Sequence, residues 1–99
     1  MTGQLPRKVR VEVMQEDIDN GAISNESCPI ALAFRRATGA LHTVSVDCFR
    51  IDALDTATSD DFPVSHFVFY PLPPEASQFV TSFDSHQPVR PFSFEVTAS

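Results

Sequence analysis

VSHFVFYPLPPEASQFVTSFDSH, residues 64–86, decides how the chain is read. Its first nine residues are apolar on both faces of an extended backbone, with Phe67 and Phe69 on one side and Val68 and Tyr70 on the other. That pattern reads as a central strand, covered on both sides or facing a partner. Pro73 and Pro74 then open a helix, because proline presets φ and lacks an amide hydrogen that the first turn leaves unpaired anyway. Ala76, Phe79, Val80 and Phe83 recur at i, i+3, i+4 and i+7, so a helix over 74–85 turns one stripe toward a core.

Downstream, Phe92, Phe94 and Val96 alternate with Ser93, Glu95 and Thr97 as a last strand, entered past Pro88 and Pro91. Upstream, Val9, Val11 and Val13 alternate with Arg10 and Glu12, giving a first strand over 8–14. QEDIDNG then reads as one helical turn closed by Gly21, a residue that tolerates positive φ. Pro29 and Gly39 bracket a helix over 29–38, with Ile30, Ala33, Phe34 and Ala37 on one face and Arg35 and Arg36 in the last turn. LHTVSVDCFRI reads as one strand carrying Val44, Val46 and Cys48 on its inner face. Residues 52–63 are polar and without rhythm, so they read as a long acidic loop.

The element order is βαββαβ. It predicts an α+β two-layer sandwich, ferredoxin-like or related, with a four-stranded, mainly antiparallel sheet and two helices; an irregular sheet with another strand order is the alternative. At 99 residues the expectation is a single domain over 1–99, with residues 1–7 as a flexible lead-in. No apolar run reaches the roughly 20 residues that span a bilayer, and the start lacks a secretory signal's apolar segment, so a cytoplasmic location and no membrane contact are expected.

Net charge is −6, and residues 51–99 carry the imbalance. Such a surface repels phosphates and anionic lipid and disfavours direct nucleic-acid binding; a protein with a basic surface is the more natural partner. Asp52, Asp55, Asp60 and Asp61 lie in a stretch, 51–61, without Lys or Arg. They are a solvated loop on the plain reading and a docking patch on the functional one. If the helices cover the Phe67 and Phe69 face, then His66, Val68 and Tyr70 form an open apolar face that suits a partner or a homodimer.

Cys28 precedes a helix, where unpaired amides favour thiolate, and this makes a thiol-dependent enzyme the alternative function. Neither an oxyanion loop nor an assignable base accompanies it, and a small buried residue is the plainer reading. His42, His66, His86, Cys28 and Cys48 are types that zinc prefers, but their spacing matches no compact signature. Asp17 and Asp19 before Gly21 depart from the calcium-loop spacing. No metal or cofactor is expected.

Two stretches, VRVEVMQEDIDNGAISNESCPIALAFRR and LPPEASQFVTSFDSHQPVRPFSFEV, resemble small uncharacterised proteins encoded by bacteriophages. The resemblance lies in the Asp-Ile-x-x-Gly turn, the Cys-Pro-Ile-Ala-Leu-Ala and Leu-Pro-Pro helix starts and the Phe-x-Phe ending. It implies a viral origin and carries no site residues. It implies no mechanism; the missing catalytic signatures, net acidity and single-domain size lead to the expectation of a non-enzymatic protein that binds and modulates or inhibits a host protein, such as a nucleic-acid-binding or defence enzyme, through an acidic surface. A self-associating virion or assembly component is the other alternative.

Overall fold

A computed structural model of the chain describes residues 5–39, 44–58 and 63–99; for 55–58 and 63–66 the description is of backbone alone. The elements run β1 (Lys8–Val13), α1 (Gln15–Asn20), α2 (Pro29–Thr38), β2 (Val44–Val46), β3 (Arg50–Thr58), β4 (Pro63–Pro71), α3 (Pro74–Asp84) and β5 (Phe92–Thr97). The class is α+β. Instead of one four-stranded sheet, the described residues form two antiparallel sheets, β1-β5 and β2-β3-β4.

Alternation explains β1 and β5. Val9, Val11 and Val13 are buried and pair in register with Val96, Phe94 and Phe92. Against this sheet lies α2, whose Ile30, Ala31, Ala33 and Phe34 are fully or almost fully buried. Its ends are as read: Pro29 occupies the first turn and Gly39, at φ 64°, closes it in the left-handed region that glycine adopts at little cost. In α3, Ala76, Phe79 and Val80 are buried, and the Phe79 ring meets Phe92 of β5 at 4.9 Å.

Gly21 closes α1 without using positive φ, since its φ of −72° lies in a region open to any residue. The glycine is needed for space: a Cβ there would sit 2.7 Å from Pro29 Cδ and 2.8 Å from the Asp17 carbonyl oxygen. Leu5 packs on the core, the Pro6 carbonyl accepts the Tyr70 hydroxyl at 2.6 Å, and the Arg7 carbonyl accepts the Ala98 amide at 2.7 Å.

The middle of the chain departs most from expectation. The stretch 41–51, read as one strand, holds β2, a turn and the start of β3. The Asp47 carboxylate makes the turn by accepting the Phe49 and Arg50 amides at 2.7 and 2.8 Å, while the Asp47 amide donates to the Arg50 carbonyl. An aspartate that caps its own following amides competes with continued strand pairing. The stretch 52–63, read as a loop, is mostly β3, paired residue for residue with β4 from Arg50↔Pro71 to Thr58↔Pro63. β4 is the last strand of its sheet rather than a central one, and the Ser99 amide donates to its Phe69 carbonyl at 2.9 Å.

Candidate functional site

The condition that would have opened the Val68 and Tyr70 face is not met, because the covered face of the three-stranded sheet is the one that bears Tyr70. Val44, Val46, Ile51, Ala53 and Tyr70 point into the core, and Tyr70 has no exposed surface. Its ring meets Phe34 edge-on at 5.2 Å, and its hydroxyl donates to Pro6. Tyr70 is therefore a core anchor with a satisfied polar end, and Val68 packs half-buried on the same core. Neither belongs to an open face.

What lies open is the opposite side. Phe67 is 51% exposed and Phe69 37%, with their rings 6.5 Å apart and nearly parallel at 11°. Phe49, held at the tip of the Asp47 turn, is 75% exposed. Burying a phenylalanine side chain contributes about 1.5–3 kcal/mol, so leaving three outside forgoes stability that the core could have used. Of these, Phe67 and Phe69 stand together with Arg50 at the Phe69 ring, and exposed aromatics beside an arginine are enriched at protein contacts.

Charge on this face is balanced locally. The Arg50 guanidinium lies 4.5 Å from the centroid of the Phe69 ring, and its Nε is 2.8 Å from Asp52 Oδ1. The contact is one of charge, since Oδ1 is sealed from solvent without a well-aligned hydrogen bond. Asp52 thus works as the partner of Arg50 rather than as a free acidic contact. Asp55 pairs with His66 in the β3-β4 register, but the side chains of both lie outside the description. Asp60, Asp61 and His42 lie outside the described residues.

Cys28 stands at the N-cap of α2 as the sequence suggests, yet only 6% exposed. Burial pushes its thiol pKa up, outweighing the amides of Ala31 and Ile30 that pull it down, and Asp84 pushes further up. The helix end favours thiolate, and desolvation wins. Among the described residues no group of three or more His, Cys, Asp or Glu is placed to hold a metal, and no helix is long and apolar enough to cross a membrane. A groove of about 530 Å³ runs between α1 and the α3-β5 connector, lined by Ile18, Ile23, Phe83, His86 and Val89. It offers shape with little chemistry.

The sequence reading did not single out Phe67, Phe69 and Arg50, which the structure brings together on the exposed face. The turn itself had a signal in Asp47, an aspartate whose side chain can accept the amides two and three residues on. Comparison with family models, curated proteins and solved structures gives no match.

Proposed function

We propose that this chain is a non-enzymatic, phage-encoded binding protein that docks on and modulates a basic host protein through the open face of its three-stranded sheet. The observation that carries the reading is the exposed, stacked Phe67 and Phe69 pair beside Arg50. Net charge of −6 supports a basic partner, because it speeds encounter with such a surface and slows encounter with nucleic acid or anionic lipid.

Affinity capture from bacterial host lysate, comparing the natural chain with Phe67→Ser/Phe69→Ser, tests this reading. The expected result is a basic protein retained by the first and lost by the second. Retention by both, with crosslinks mapping away from the sheet, would reject the face.

A further inference from the structure

We propose that the open face receives arginine side chains of the basic partner, with the phenyl ring of Phe67 as the seat for a guanidinium. The inference rests on the reading that this face is a protein contact, and it names the chemistry of what docks there. Within the chain, Arg50 and Phe69 already form this arrangement: a planar cation lies 4.5 Å from a ring centroid, with the Asp52 carboxylate balancing its charge. Phe67 repeats the phenyl one step along the strand face, parallel to Phe69 and half exposed. Among the described residues no cation stacks on it.

Two further properties select the guest. The chain's charge of −6 draws in cationic segments and repels a second copy of itself. Between the two cations of proteins, arginine is flat and weakly hydrated, so it gives up less water on stacking than the compact ammonium of lysine.

The test is an NMR titration of the natural chain, at low salt, with a Gly-Ser peptide carrying two arginines and with its two-lysine counterpart. The arginine peptide is expected to bind about threefold more tightly, with shifts centred on Phe67 and Phe69. Phe67→Leu should abolish the preference and Phe67→Tyr should keep it; Phe67 contributes little to the core, and the amide spectra report folding directly. Equal affinity for the two peptides, or a preference that survives in Phe67→Leu, overturns the proposal and leaves a charge-driven contact standing. Silence toward both peptides overturns it together with the basic-partner reading.

Discussion

Arg36 holds Asp17 by both carboxylate oxygens, Nη1 at 2.6 Å from Oδ1 and Nη2 at 2.7 Å from Oδ2. Asp17 also accepts the Met14 amide at 2.8 Å, and Arg36 donates to the Glu12 carbonyl at 2.8 Å. One ion pair therefore ties α1 and the end of β1 to α2, with the aspartate buried and the arginine partly in solvent. The Arg36 guanidinium beside Asp17 lowers the carboxyl pKa against the opposing pull of burial, and the Met14 amide lowers it further. Asp17 in turn raises the pKa of Arg36.

Removing one partner leaves the other without its match. Arg36→Ala should cost about 2 kcal/mol, since it strands a buried carboxylate whose bonds are charge-assisted. Urea unfolding measures the loss, and a change under 0.5 kcal/mol would contradict the assigned role.

The same pair sets an acid limit. A carboxyl whose folded pKa lies below its ordinary value of 3.8 contributes stability that is complete above that value. The contribution is lost as pH falls from there through the folded pKa. Asp17→Asn should therefore flatten the fall in stability below about pH 4 while lowering stability at neutral pH. Denaturant midpoints from pH 7 to pH 2 give the comparison.

Tyr70 and Phe67 lie three residues apart and should respond oppositely. Tyr70→Phe removes the hydroxyl that satisfies the Pro6 carbonyl and should cost about 1 kcal/mol. Phe67→Ser, on the open side, should stay within about 0.5 kcal/mol of the natural chain. Thermal unfolding of the two variants distinguishes this arrangement from its mirror, in which the serine variant would be the weaker.

Gly21→Ala places a methyl group against the Pro29 ring and the Asp17 carbonyl and should destabilise by about 1–3 kcal/mol. The α1-α2 junction should show it first, in faster amide exchange around Gly21.

The two thiols should part company. Cys28 is buried with a raised pKa, whereas Cys48 is half-buried in the Asp47 turn. A disulfide reagent at pH 8 should modify Cys48 promptly and Cys28 only on unfolding. Prompt reaction of Cys28 would revive the thiol-enzyme alternative.

The outer elements were legible because each carried an unbroken pattern, reinforced in α2 by its end residues. Valine alternation marked β1, Phe92, Phe94 and Val96 marked β5, and for α2 the Pro29 and Gly39 ends matched its apolar stripe. The middle was not legible for physical reasons. Asp47 ends β2 through side-chain bonds that leave the apolar rhythm of Val44 and Val46 running past it to Cys48. Asp52 sits on β3 because Arg50, two residues away on the same face, offsets its charge. The face of β4 could not be chosen by hydropathy, since phenylalanine outranks tyrosine for burial and this fold inverts that order. Pro6 supplies an acceptor that makes tyrosine the better core residue at 70, and that bond spans 64 residues.

The outward phenyl rings also set a solubility window. Mutual repulsion between copies vanishes near the isoelectric point of about 4.7. There the rings of Phe49, Phe67 and Phe69 are free to stick to one another, at a pH where Asp17 is still ionised and the core intact. Mildly acidic buffer should therefore cloud a solution of native molecules, and raising the pH should clear it.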